Sequence, residues 1–116
     1  MTERVRILFV CGRNRRRSPT AERLYAGDPR FEVRAGGTAE TSRRRVQEGD
    51  LRWAEVVLVM EDRYGDRLEA RFADMEWPPV VSLDIPDDYE FMEAELIELL
   101  RASVEGWFQE WVRDEG

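Results

Sequence analysis

A short apolar run, Val5–Val10 (VRILFV), ends at Cys11-Gly12 and gives way within a few residues to Ser18-Pro19. No other feature constrains the fold as strongly. A run of this length reads as a buried strand. Ser is a good helix N-cap, Pro suits the first helical position, and Glu22 stands where the helix dipole favours a carboxylate. The pattern predicts a helix from about Pro19 to Ala26, stopped by Gly27-Asp28-Pro29. Phe31–Ala35 reads as a second strand before Gly36-Gly37, and the polar, Arg-rich stretch Thr38–Gly49 as a loop with a short helix. One helical turn is expected at Asp50–Ala54, a strand at Glu55–Met60 and a helix at Glu61–Asp74, with Tyr64, Leu68 and Phe72 on one face. Pro79–Leu83 reads as a fourth strand, DIPDDY (Asp84–Tyr89) as a loop, and Glu90 to about Arg113 as a long helix with an apolar side.

Strands alternating with helices predict an α/β fold, a four-stranded parallel sheet with helices on both faces. Ligands in such sheets sit beyond the carboxyl ends of the strands, beside the switch in strand order. The loop after the first strand and the DIPDDY loop after the fourth should therefore share one edge.

The chain has 116 residues, which fits one domain, 1–116. No uncharged apolar run approaches the ~18–20 residues of a membrane span. The first residues carry Glu3 and no small-residue cleavage site, so a cytoplasmic location and no membrane partner are expected. One cysteine excludes an intramolecular disulfide. The absence of histidine removes His-based triads and most zinc sites. All 18 basic residues are Arg, so Schiff-base chemistry and a P-loop lysine are excluded too. The net charge of −7 is unevenly spread: residues 1–58 hold 13 Arg against 8 acids, and residues 59–116 hold 5 Arg against 17. Overall acidity argues against nucleic acid as a partner, while the basic half can attract a small anion or a phosphorylated group.

The segment Cys11-Gly12-Arg13-Asn14-Arg15-Arg16-Arg17-Ser18 joins the first strand to a helix N-terminus. Five residues between Cys11 and Arg17 let a loop curl so that its N–H groups converge on one point, where the helix dipole adds positive potential. The Arg17 guanidinium can hold an oxyanion there with two parallel bonds. The same field favours a thiolate at Cys11, and a thiolate at the floor of a phosphate cradle is an in-line nucleophile on phosphorus. Taken singly, Cys11 is a small buried hydrophobe and the arginines a solvated loop; the ordered combination points to an oxyanion site.

LFVCGRNRRRSPTAE resembles the phosphate-binding loop of the low-molecular-weight protein tyrosine phosphatases, whose signature is C-x5-R-S-P-x-A-E after the first strand. Asn14 stands at the family's Asn. RAGGT (Arg34–Thr38) is similar to its S-A-G-T, EVVLVMED to its third strand, and DIPDDYEFM to the loop that carries its catalytic aspartate. The resemblance implies a cysteine-dependent phosphomonoesterase, a protein-tyrosine phosphatase in the first place, working through a thiophosphoryl-enzyme without metal or cofactor. Cys11, Arg17 and Asp87 take the catalytic roles. Residues Gly12, Arg13, Asn14, Arg15, Arg16 and Arg17 form the phosphate cradle, Ser18 supports it, and Tyr89 flanks the substrate. The implied partners are a phosphorylated protein or small phosphate ester, and inorganic phosphate.

The chain departs from that pattern. Thr38–Leu51 is shorter than in full-length members, which removes part of the substrate wall. Arg16 replaces the loop's second cysteine. Arg13 stands where a Gly is usual. Ala35 replaces a Ser whose hydroxyl would support Asn14, leaving Thr38 or Ser42 as substitutes. Without His or Lys, the proton for the leaving oxygen has to come from a carboxylic acid: Asp84, Asp87 or Asp88, with alignment favouring Asp87. Two other readings stand beside phosphatase: a single-cysteine arsenate reductase that uses an external small thiol, and a non-catalytic phosphate or phosphoprotein-binding domain.

Overall fold

The computed structural model describes residues 4–115. Strand β1 (Val5–Cys11) leads into helix α1 (Arg17–Tyr25), followed by β2 (Phe31–Gly37), α2 (Glu48–Trp53), β3 (Val56–Val59), α3 (Asp62–Arg71), β4 (Val80–Ser82) and α4 (Ala94–Glu115). The sheet is wholly parallel, in the order β2-β1-β3-β4. The chain steps to one side of β1 through α1 and to the other through α2 and α3. Right-handed crossovers in opposite directions put α1 on one face and α2 and α3 on the other. α4 packs against α1 and closes the first face.

Both faces of the central strands are thus covered, which explains why β1 and β3 read as unbroken apolar runs. Ile7 to Val10 and Val56 to Leu58 are fully buried. On the α1/α4 side an aromatic cluster fills the core. The Tyr25 ring meets Phe31 edge-on at 5.6 Å, Phe31 meets Phe108 at 5.1 Å, and Trp107 contacts Trp111 at 5.5 Å. Arg30 fastens this side, bonding Glu105 of α4 at 2.8 Å and Asp28 at 2.8 Å. Of the apolar side expected of the long helix, Leu96, Leu100, Val104 and Trp107 are core, and Leu99, Phe108 and Trp111 lie half-buried against it.

Several boundaries differ from expectation, and three of the differences shape the site and the last helix. Helix α1 begins at Arg17 rather than Pro19; its N-cap is Arg16, and no side chain caps it. Ser18 lies inside the first turn because its hydroxyl is engaged by Cys11 and Asn14. The polar stretch after β2 holds no helix before Glu48. It folds back on β2 and on the loop after β1: Gly37 N–H bonds Arg44 O at 2.8 Å, Ala39 N–H bonds Gly12 O at 2.9 Å, and Arg43 N–H bonds Arg13 O at 3.1 Å. A Cβ at Gly37 would overlap the Ser42 side chain and come within 2.9 Å of the Gly12 carbonyl, so only glycine permits this approach. Helix α4 starts at Ala94, since Met92 takes a positive φ of 61° and breaks the preceding turn.

Candidate active site

Cys11 is the last residue of β1 and pairs in register with Gly37 of β2. The next residues curl into a loop that enters α1. At its bend Asn14 has φ 54°, a left-handed conformation that Asn tolerates better than most residues. Its side chain is buried, with Oδ1 accepting from the Ser18 hydroxyl at 2.9 Å. Ser18 Oγ is also 2.9 Å from Cys11 Sγ. The support expected from Thr38 or Ser42 is absent. Ser42 instead donates to the Ala39 and Gly12 carbonyls, Thr38 Oγ1 has no partner among the described residues, and Ser18 alone holds Asn14.

Arg17 is buried, with 2% of its surface exposed. Its Nη1 donates to Glu61 Oε2 at 2.5 Å and to the Ile85 carbonyl at 2.7 Å, and its Nη2 donates to the Tyr64 hydroxyl at 2.6 Å. A guanidinium has five N–H donors. Those three bonds leave Nε–H and one N–H of Nη2, a pair suited to holding two oxygens of an oxyanion side by side. Burial alone would lower the Arg17 pKa, but Glu61, Tyr64 and Asp87 raise it, so the charge is secure. Burial would likewise raise the Glu61 pKa; its bonds from Arg17, Arg63 and Tyr64 outweigh that and hold it below the ordinary carboxylate range.

A cavity of about 400 Å³ opens over this group. Cys11, Gly12, Arg13, Arg15, Arg16 and Arg17 form its floor and one side. Arg63, Tyr64 and Arg67 of α3 form another, and Asp87 stands at the mouth with Oδ1 3.7 Å from Arg17 Nε. Of the three aspartates that could supply a proton, only Asp87 lines the cavity. Asp84 has φ 54° and accepts from Ser82 Oγ at 3.0 Å, and Asp88 lies outside the cavity. Tyr89 does not line the cavity and lies half-buried against the core.

The sequence reading missed Glu61, Tyr64, Arg63 and Arg67. Tyr64 was expected on the core face of its helix, and its ring is buried there; its hydroxyl reaches on to Arg17. The signal that could have found the group is positional. Glu61 stands two residues past the end of β3, at the same sheet edge as the loop after β1.

A scan against protein-family models gives no match, and neither does a search of curated proteins. Solved structures do match, over nearly the whole chain. The low-molecular-weight protein tyrosine phosphatase of Streptococcus pyogenes superposes with a TM-score of 0.75 at 15% identity, covering 91% of this chain and 92% of its own. The chain has the low-molecular-weight protein tyrosine phosphatase fold. The tyrosine phosphatase Wzb of Escherichia coli K30, solved with phosphate, gives a TM-score of 0.69 at 18% identity, covering 93% of this chain and 99% of its own. The YwlE arginine phosphatase of Geobacillus stearothermophilus gives 0.65 at 23% identity, covering 94% and 96%. In this phosphatase fold the loop after β1 lies at the central strand's carboxyl end, beside the point where the chain changes direction across the sheet.

Proposed function

We propose that the protein is a cysteine-dependent phosphomonoesterase that forms a thiophosphoryl-enzyme, with phosphotyrosine as the first ester to test. The observation that carries this reading is the placing of Cys11, Arg17 and Asp87 on one cavity. The fold shared with tyrosine and arginine phosphatases supports it.

In the first step the Cys11 thiolate attacks phosphorus opposite the leaving oxygen. The S–P bond forms as the P–O bond breaks, and the Asp87 carboxyl gives its proton to the departing oxygen. Arg17 Nε and Nη2, with loop N–H groups, hold the equatorial oxygens, where charge has to be stabilised in a loose transition state. In the second step the Asp87 carboxylate takes a proton from water as the water oxygen attacks phosphorus. The S–P bond breaks, and phosphate leaves with the thiolate restored. Asp87 gives the proton in the first step and regains one from water in the second, and no step draws on a cofactor.

The test is hydrolysis of para-nitrophenyl phosphate by the wild type and by Cys11→Ser, with vanadate as competitor. Turnover that vanadate blocks and Cys11→Ser lacks is expected. Tight phosphate binding without turnover would favour the non-catalytic reading, and arsenate reduction dependent on an added small thiol would favour the reductase reading.

A further inference from the structure

We infer that the site takes a small organic phosphate bearing a second phosphoryl group, which Arg13, Arg15 and Arg67 hold. This rests on the phosphomonoesterase reading only in placing the first phosphoryl group over Cys11.

The lining of the cavity carries the argument. Its charged side chains are Arg13, Arg15, Arg16, Arg17, Arg63 and Arg67, against the single carboxylate of Asp87. Three of those guanidiniums have acidic partners: Arg17 and Arg63 bind Glu61, and Arg16 lies 3.6 Å from Glu90. Arg13, Arg15 and Arg67 are exposed, and none of them is within 4 Å of a carboxylate oxygen among the described residues. Arg17 and the loop amides suffice for one phosphoryl group, so these three cations are surplus to it. They come from two elements, the loop and α3, and flank one cavity rather than a track across the surface.

Few of the residues that line the cavity are apolar in type: Ala39 and Tyr64, apart from Cys11 and Gly12. The Tyr64 ring is 2% exposed, with the guanidinium carbons of Arg17, Arg63 and Arg67 at 5.3, 5.0 and 5.8 Å from its centroid. It offers no open face to a substrate ring. Tyr89 and Phe91 lie elsewhere, Phe91 on a separate groove with Pro19 and Phe31. A neutral aryl group leaving this site would displace water from guanidiniums and meet no open aromatic face. A second phosphoryl group would meet donors that bind it in pairs.

The test is calorimetric titration at pH 7 with two non-hydrolysable probes of matched skeleton, propylphosphonate and propane-1,3-bisphosphonate. The bisphosphonate should bind at least about tenfold more tightly in the wild type, a preference that converts to about 1.4 kcal/mol. In Arg13→Ala/Arg67→Ala the preference should fall to about threefold or less, while Arg101→Ala, remote from the cavity, keeps it. Equal affinity for the two probes, or a preference that the double variant retains, would overturn the proposal. So would tighter binding of an acidic phosphotyrosyl peptide to Cys11→Ser than of the bisphosphonate to that variant. Titration needs no turnover, so loss of the phosphatase reading would show separately, as absent nitrophenyl phosphate hydrolysis with the bisphosphonate preference intact.

Discussion

Cys11 Sγ lies 2.9 Å from Ser18 Oγ, and the same hydroxyl donates to Asn14 Oδ1 at 2.9 Å. A hydroxyl has one proton to give. While it serves Asn14, the Cys11 thiol is the donor to Ser18; once the sulfur is a thiolate, the hydroxyl proton has reason to turn to it. Ser18→Ala should therefore slow the step in which the thiolate leaves phosphorus, by about tenfold, the worth of one charge-assisted hydrogen bond. Stopped-flow release of nitrophenolate checks this. A burst followed by a slowed steady rate is expected, and a uniform decrease without a burst would mean that Ser18 acts on the loop alone.

Arg17→Lys should lose about 10²-fold or more in kcat, because a point charge cannot hold two equatorial oxygens as a planar fork does. Steady-state kinetics with nitrophenyl phosphate measures it. A turnover within a few-fold of wild type would remove Arg17 from the role of clamp.

Asp87→Asn should be selective for leaving groups. A nitrophenolate departs almost unaided, whereas an unsubstituted phenyl oxygen needs the proton, so the variant should lose about 10²-fold on phenyl phosphate and much less on nitrophenyl phosphate. The same pattern in Asp84→Asn or Asp88→Asn, and not in Asp87→Asn, would move the acid to that position.

Tyr64→Phe and Glu61→Gln each remove an anchor from Arg17, Tyr64 by a 2.6 Å bond and Glu61 by one of 2.5 Å. Each should lower kcat/KM by about tenfold while the thiol stays open to iodoacetate, since the nucleophile is untouched. Protection by phosphate against that alkylation should weaken in parallel. Undiminished protection would show that Arg17 keeps its place without them.

Asp50 should mark the acid limit of stability. Burial would raise its pKa, but the Gln47 N–H and the Arg44 and Arg34 guanidiniums outweigh that and lower it. Its contribution is therefore complete above the ordinary Asp pKa of ~3.9 and lost as pH falls through the lower folded value. Asp50→Asn should cost about 2 kcal/mol at pH 7. Thermal melts between pH 7 and pH 2.5 should show the gap between variant and wild type closing below about pH 4. A gap that stays constant would assign the cost to packing.

What the sequence revealed followed the range of each signal. β1, its loop and α1 could be read because apolar run, Cys11 and Ser18-Pro19 are neighbours, and every cue in them is local. Parallel order followed from alternation, and the rule that ligands gather at strand ends brought the Asp84–Tyr89 loop to the loop of Cys11, the choice of Asp87 within it resting on the family resemblance. Other contacts lay beyond that reach. Ser18 reads as a cap because a cap and the contacts to Cys11 and Asn14 use the same hydroxyl. Tyr64 looked like core because periodicity registers a ring and not the polar atom at its tip. The backing of the loop by residues 38–43 runs mainly through main-chain bonds, to which side-chain pattern is blind.

The guanidinium of Arg17 is gripped from behind by a side chain that follows β3, a side chain of α3 and a carbonyl that follows β4. The setting of the Arg17 guanidinium and the joining of these three segments are thereby one property. Two of the three residues, Tyr64 and Ile85, belong to the core, so opening their segments would loosen the grip on Arg17 and the packing behind it together. On titration with urea, loss of oxyanion binding should run ahead of the far-ultraviolet transition if these segments open separately, and coincide with it if the whole chain unfolds as one unit.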